Sequence, residues 1–341
     1  MPRSELTLDL GAIRRNARTL LRAAAGAELW AVVKANGYGH GAIDVARAAL
    51  EAGASALCVA TIGEALELRT ALAEARIVCL GPTEDAEVSL AREARIELAV
   101  VAEGSVPEGV PLHLKLDTGM GRFGLSELDA PTRDVVGLMS HLATADTDET
   151  FARTQIERFA DAVAPYRSHL TCHVANSAAT LRLPESRFDA VRCGVALYGL
   201  SPFMRDPSED GLEPALRWRS RLAQVKLLQP GESTGYGRRF VAEEPVWIGL
   251  VPVGYADGFR RDLTGTTVAV DGERCAVVGT ISMDSCAVRL PRELPAGTPV
   301  TLLGDGVLAE EHARVADTIN YELVTGLESD RRRTLRTVID S

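Results

Sequence analysis

Eight short apolar runs, separated by stretches whose apolar residues recur every three or four positions, constrain this chain more than any other feature. The runs cover 29–33, 56–60, 77–80, 97–101, 112–117, 135–141, 170–175 and 189–192. Strand-length runs that alternate with helical patterns must be covered on both faces, which is the condition of a parallel sheet. Helical patterns fall, for example, at 41–52, 62–75, 83–94 and 148–166. Eight such units within about 200 residues predict an α/β chain with a closed (β/α)8 barrel of the TIM type. The connection 102–111 is too short and too rich in Pro and Gly for a full helix, so a shortened crossover is expected there. Ahead of the barrel, Leu6-Thr7-Leu8-Asp9-Leu10 alternates like a strand, and Leu10, Ile13, Ala17, Leu20, Leu21 and Ala24 then follow at helical spacing.

The polar residues concentrate where these strands end, the face on which parallel barrels carry their chemistry. The first run ends in Lys34, followed by Ala35-Asn36-Gly37-Tyr38-Gly39-His40-Gly41 and a helical pattern from Ala42. A lysine stem among Ala, Val and Trp side chains loses hydration, its pKa falls, and it becomes a candidate for a Schiff base to an aldehyde. A lone strand-end lysine would more often snorkel to water. This one is accompanied by Lys115, Asp117 and Arg122 at the fifth strand, His141 at the sixth, His173, Asn176 and Ser177 at the seventh, and Arg192 and Gly194 at the eighth. Each has an ordinary structural reading as a satisfied histidine, a helix cap or a surface arginine. Together they fit a site for an anionic, carbonyl-type cofactor.

From Ser201 to Trp218 the alternation breaks in a Pro- and Gly-bearing stretch that reads as an interdomain loop. Closely spaced β runs follow at 222–227, 246–252, 267–270, 276–281, 287–290 and 300–303, with a helical stretch near 309–327. The expected division is a barrel over 1–215, its first strand (about 5–10) free to pack with the second domain, and a mostly antiparallel β domain over 216–341. Tyr236 and Tyr255 sit in glycine-rich loops of that domain, either sealing turns or presented to a ligand. Hydrophobic residues make up 46% and charged residues 25% of the 341, proportions able to bury a large core. The net charge of −10 argues against nucleic acid or an anionic membrane as partner. Six cysteines without CxxC or metal spacing read as small buried hydrophobes in a reducing compartment, and no metal site is expected. With no signal-peptide core and no 18-residue apolar span, the expected location is the cytoplasm.

Ala31-Val32-Val33-Lys34-Ala35-Asn36-Gly37-Tyr38-Gly39-His40-Gly41 resembles the pyridoxal-phosphate attachment signature of alanine racemases. Further pieces follow in that family's order: 115–124 with its Leu-Asp-Thr-Gly-Met-Gly-Arg run, 140–144, 173–178, 192–195, 235–237, 254–258, 282–284 and 318–322. The tail 330–341 departs from the family's usual ending.

The resemblance implies the following roles. Lys34 carries pyridoxal 5'-phosphate as a Schiff base, and Tyr38, Ser177, the backbone at Gly194 and Val195, and Tyr321 hold its phosphate. Arg192 faces the pyridine nitrogen and, having no proton to yield, keeps that nitrogen unprotonated and the ring a weak electron sink. Arg122 orients the substrate carboxylate and is positioned by Lys115, which in the family is often carbamylated. Inversion at Cα needs a base on each face: Lys34 serves one and Tyr236, from the partner subunit of a homodimer, the other. A phenol of reference pKa about 10 needs neighbours that favour its ionised form, a task the resemblance gives to His141 between Tyr236 and Arg192. Tyr255 and Tyr321 narrow the entry, Met283 offers its backbone near the carboxylate, and Asp284 supports it. The implied function is interconversion of L- and D-alanine, supplying D-alanine for peptidoglycan. A serine or broader racemase remains open at this point, as does an amino-acid decarboxylase of similar architecture. The decarboxylase needs no facing tyrosine and usually pairs the ring nitrogen with an acid.

Overall fold

The computed structural model describes residues 2–104, 106–128, 132–328 and 330–341. A first strand, β1 (Glu5–Asp9), leads into the helix Leu10–Ala24. The barrel strands are β2 (Glu28–Val32), β3 (Ala56–Val59), β4 (Ile77–Cys79), β5 (Ile96–Val100), β6 (Leu112–Lys115), β7 (Val135–Met139), β8 (Thr171–His173) and β9 (Ala190–Cys193). They close in sequence order, all parallel, with β9 pairing back onto β2 at Trp30↔Arg192. All eight expected runs are therefore strands. Those of β3, β4, β6 and β9 are buried throughout, because the barrel interior takes one face and the outer helices the other.

Local signals start the covering helices. Thr61 and Glu64 form a reciprocal capping box before Ile62–Ala71, and Asp148 accepts from Thr150 and Phe151 N–H at 3.0 and 3.2 Å to open Glu149–Val163. Between β5 and β6 no helix forms among the described residues. Arg92 instead ties that crossover by donating to the carbonyls of Gly109 and Glu108. Ser105, inside this connection, lies outside the described residues.

The chain's contacts divide it into two compact units, Ala12–Glu213 and a second made of the N-terminal residues through Gly11 with Pro214–Ser341. The second unit adds β10 (Leu216–Arg221), β11 (Gln224–Leu228), a small hairpin of β12 (Ser233–Thr234) and β13 (Phe240–Val241), β14 (Val246–Val251), β15 (Thr267–Val270), β16 (Glu273–Val278), β17 (Cys286–Leu290), β18 (Pro299–Leu303) and β19 (Leu335–Ile339). Its nine-stranded sheet runs β11-β14-β17-β16-β15-β18-β10-β1-β19 and is antiparallel at every pair except β1–β19.

Three details differ from the sequence expectation. The loop expected through Trp218 is already β10 from Leu216. Arg217, Arg219 and Arg221 alternate with buried Leu216, Trp218 and Ser220, a polar strand that an apolar-run criterion passes over. The tail holds β19, an edge strand hydrogen-bonded only to β1. The helical stretch near 309–327 is two helices, Ala309–Val315 and Asn320–Thr325, parted at Asp317, whose φ of 51° lies outside helical space. All six cysteines are free and buried. No helix among the described residues is long and apolar enough to cross a membrane.

Candidate active site

Strand β2 ends at Val32, so Lys34 is not a strand residue but the first of a tight turn. Ala35, Asn36, Gly37, Tyr38 and Gly39 follow with φ of 51°, 50°, 62°, 51° and 80°, one left-handed turn. Holding Ala35 and Tyr38 there costs about 1 kcal/mol or more each, so their surroundings must over-determine the path. They do. Gly37 and Gly39 N–H donate to Val33 and Ala35 carbonyls at 2.9 and 3.0 Å, and Asn36 Oδ1 accepts from Ala42 N–H at 3.1 Å. Glu64 accepts from Ala35 N–H at 2.6 Å and from Ala60 N–H at 2.8 Å. Burial lowers the Lys34 pKa, the nearby Arg122 charge lowers it further, and Glu64 opposes both.

Tyr38, at the end of this turn, stacks on Tyr198 with ring centroids 4.9 Å apart. Its hydroxyl lies against Gly194 so closely that a Cβ there would come within 2.4 Å of it. Ser177 Oγ accepts from Gly194 N–H at 3.1 Å and Ala196 N–H at 3.4 Å. Burial raises the Tyr38 pKa well above the usual phenol range, so it remains a donor. Two hydroxyls and a run of backbone N–H groups at a position only glycine can occupy suit a phosphate monoester. The expected set Tyr38, Ser177, Gly194 and Val195 thus gathers in one place at the C-terminal ends of the strands.

Arg192 is buried and carries no carboxylate partner among the described residues. Its Nη1 donates to His173 Nδ1 at 2.5 Å and to the His173 carbonyl at 2.9 Å. Its Nη2 donates to the Ser140 carbonyl at 2.6 Å and reaches His141 Nδ1 at 3.4 Å. None of these bonds uses Nε, which leaves one N–H for a ring nitrogen acceptor. Burial lowers the Arg192 pKa to about 10, still a cation at neutral pH. His141 is pushed down to about 3, by burial and then by Arg192, Arg122, Lys115 and Lys34. It is therefore neutral, accepting at Nδ1 and carrying its proton on Nε2. An amine of lowered pKa, a phosphate cradle and an arginine with a spare N–H match the aldehyde, the phosphate and the ring nitrogen of pyridoxal 5'-phosphate in chemistry.

Lys115 Nζ donates to the Arg122 and Phe123 carbonyls at 2.8 Å each, so its link to Arg122 runs through the backbone. Asp117 folds the same loop by accepting from Gly119, Met120 and Gly121 N–H at 2.9, 2.8 and 3.2 Å. Burial, then the Arg122 charge, brings Lys115 down to about 8.

The remaining expected residues belong to the second unit. Tyr236 follows β12 in a turn whose carbonyl accepts from Thr280 Oγ1 at 2.8 Å, and its side chain is 74% exposed. Tyr255 and Ala256 N–H donate to the Ser282 and Met283 carbonyls at 3.1 and 2.9 Å, which joins the Tyr255 and Met283 loops. Asp284 pairs with Arg333 at 2.7 Å, and Arg333 and Arg3 also hold the buried Asp257 at 2.9 and 2.7 Å. The tail thus reaches an expected supporting residue. Tyr321 lies in the helix Asn320–Thr325.

Sequence reading gave no role to Glu64, Glu97, His113 or Arg76, and noted His173 only as a strand-end polar residue. Glu64 was legible only as the capping-box partner of Thr61. The others sit singly within or beside apolar strands and carry no spacing signal.

Comparison with known proteins follows the same lines. The family model for the alanine racemase N-terminal domain matches residues 8–202, and that for the C-terminal domain matches 215–335. A curated alanine racemase of Geobacillus stearothermophilus is 44% identical over 346 residues, covering 93% of this chain and 89% of its own. One of Lactiplantibacillus plantarum is 42% identical, covering 95% of both chains. The crystal structure of alanine racemase from D-cycloserine-producing Streptomyces lavendulae superposes with a TM-score of 0.91 at 37% identity, covering 100% of this chain and 98% of its own. By family models over most of its length and relatives well above 30% identity, the chain belongs to the alanine racemase family.

Proposed function

We propose that this chain interconverts L- and D-alanine with pyridoxal 5'-phosphate, as a cytoplasmic homodimer that supplies D-alanine for peptidoglycan. The observation that carries the reading is Arg192: a buried guanidinium with a spare N–H and, among the described residues, no acid paired with it, at the same strand ends as Lys34 and the phosphate cradle. A decarboxylase or transaminase would be served by a carboxylate in that place.

When bound, pyridoxal phosphate supplies the electron-accepting ring that makes the Cα proton of an amino acid removable. Tyr38, Ser177 and the Gly194–Val195 backbone hold its phosphate, with Tyr321 contributing a further hydroxyl. Arg192 stays protonated and has no proton to release, so the nitrogen it faces stays unprotonated. Lys34 Nζ, its pKa lowered by burial and by Arg122, would hold the cofactor's aldehyde carbon until the substrate amine displaces it, and the freed amine would then exchange the Cα proton on one face. Tyr236 Oη of the partner subunit exchanges it on the other, taking it from L-alanine while Lys34 takes it from D-alanine. Tyr236 is 74% exposed, which supports its use in trans. His141, neutral and carrying its proton on Nε2, donates to that phenol oxygen and favours its ionised form. Arg122 and the Met283 backbone orient the substrate carboxylate, with Asp284 behind them. Tyr255 and Tyr321 restrict the entry to a small side chain.

The test is incubation with L-alanine and pyridoxal phosphate in heavy water, following enantiomer ratio and Cα deuterium together, with Lys34→Ala as control. An approach to an equal mixture with deuterium in the product, and no reaction in the control, is expected. Carbon dioxide release, or exchange with retained configuration, refutes the racemase reading.

A further inference from the structure

Below Arg192 the barrel interior contains polar side chains that the proposed reaction does not use. His173 Nε2 lies 3.0 Å from His113 Nδ1, and His113 Nε2 lies 2.7 Å from Glu97 Oε2. Arg76 donates to both oxygens of Glu97, at 2.8 and 3.0 Å. Arg192 is the third residue of β9, whereas Glu97 is the second of β5 and Arg76 immediately precedes β4. The row therefore runs from the strands' C-terminal halves to the opposite end of the barrel. Both imidazoles are fully buried, with Trp30 against them at ring distances of 4.4 Å from His173 and 5.6 Å from His113.

The two ends dictate the direction of every bond. Arginine can only donate, and an ionised carboxylate can only accept. Burial would raise Glu97, but the hydrogen bonds from His113 and Arg76 outweigh it and hold the carboxyl down to about 2. His113 must then donate from Nε2, and as a neutral imidazole it accepts at Nδ1. His173 in turn donates from Nε2 and accepts at Nδ1 from Arg192. A charged imidazole at either position would set two donors face to face, and both histidines have pKa values lowered, first by burial. Gly137 of β7 gives His113 the room to reach across, since a Cβ there would lie 2.2 Å from His113 Nδ1.

We propose that Glu97 is a positioning residue for the reaction: through His113 and His173 it fixes both imidazole tautomers, so that Arg192 meets a lone pair and is held with its Nε–H toward the cofactor ring. The reaction role rests on the racemase reading, whereas the relay itself does not.

The experiment is 15N NMR of histidine-labelled protein at pH 7, joined to steady-state kinetics in both directions. In the parent protein His113 and His173 are expected as neutral imidazoles protonated on Nε2. Gly137→Ala, which removes no hydrogen-bonding group, should displace the His113 ring and mix the tautomers of His173. It should lower kcat in both directions by about tenfold or more, with KM for alanine within about twofold. Glu97→Leu should do the same from the far end. A proton on Nδ1 of either histidine in the parent overturns the proposal even if both variants fail to fold. So does a Gly137→Ala protein that retains the His173 tautomer and a kcat within twofold. The tautomer signal needs no turnover, so failure to racemise alanine would refute the functional reading and leave the relay standing.

Discussion

Replacing Gly194 with alanine tests the phosphate cradle at its narrowest point. The new Cβ would lie 2.4 Å from Tyr38 Oη and 2.9 Å from Cζ, well inside contact distance. Tyr38 has little room to yield: it is stacked on Tyr198 and ends a left-handed turn tied down on both sides. Overpacking of this kind costs about 1–3 kcal/mol of stability, visible as a lower melting temperature. Its effect on the cofactor is separable. If the Tyr38 hydroxyl loses its bond to a charged phosphate, about 1.5–3 kcal/mol goes with it, an affinity loss of about 10- to 150-fold. The assay is absorbance titration of apo protein with pyridoxal phosphate and, in parallel, with pyridoxal. Gly194→Ala should weaken the first by that factor and leave the second within about twofold. Tyr38→Phe should weaken the first without the stability loss. Equal weakening for both ligands would show that the cradle does not hold the phosphate.

Three further outcomes are expected. Tyr236→Phe should abolish proton abstraction from L-alanine far more than from D-alanine, and mixing it with Lys34→Ala protein should restore turnover through hybrid dimers; equal losses and no rescue refute the two-base, shared-site reading. Lys115, brought down to about 8 by burial and by Arg122, has more free amine near neutral pH than an ordinary lysine, which favours carbamate formation. A 13C carbamate resonance in bicarbonate that disappears in Lys115→Ala is expected, and an unmodified Lys115 removes that step. Glu97 has its folded pKa depressed from 4.5 to about 2, so its stabilisation is complete above the unfolded value and is lost as pH falls through that window. The shift corresponds to about 3 kcal/mol, so Glu97→Gln should flatten the fall of the urea midpoint between pH 5 and 2. An unchanged slope would show that Glu97 is not the group titrating.

Much of the barrel end of the site was legible because its residues follow strands, and strand ends of a parallel barrel converge. Lys34, Lys115, His141 and Arg192 could be grouped on that ground alone. The turn after Lys34 could not be drawn from sequence. Its Gly and Asn mark a left-handed path, but Ala35 and Tyr38 do not, and they adopt it because Glu64 and Tyr198 hold them there. Sequence reading placed Lys115 behind Arg122, but only the structure shows that the ammonium reaches it through the backbone carbonyls of Arg122 and Phe123.

By itself, the sequence determined the eight strands, the helices between them and the side of the barrel that carries the chemistry. Those properties are written in short apolar runs and in repeats of three to four residues, which neighbouring positions reveal. Only the tertiary structure decided that β1 lies between β10 and β19, that Gly137 opens a path for His113, and that Glu97 answers Arg192 through two imidazoles. Each joins residues far apart in the chain, and periodicity cannot select a partner across a sheet or barrel. The choice is made by which groups can satisfy one another once water has been excluded.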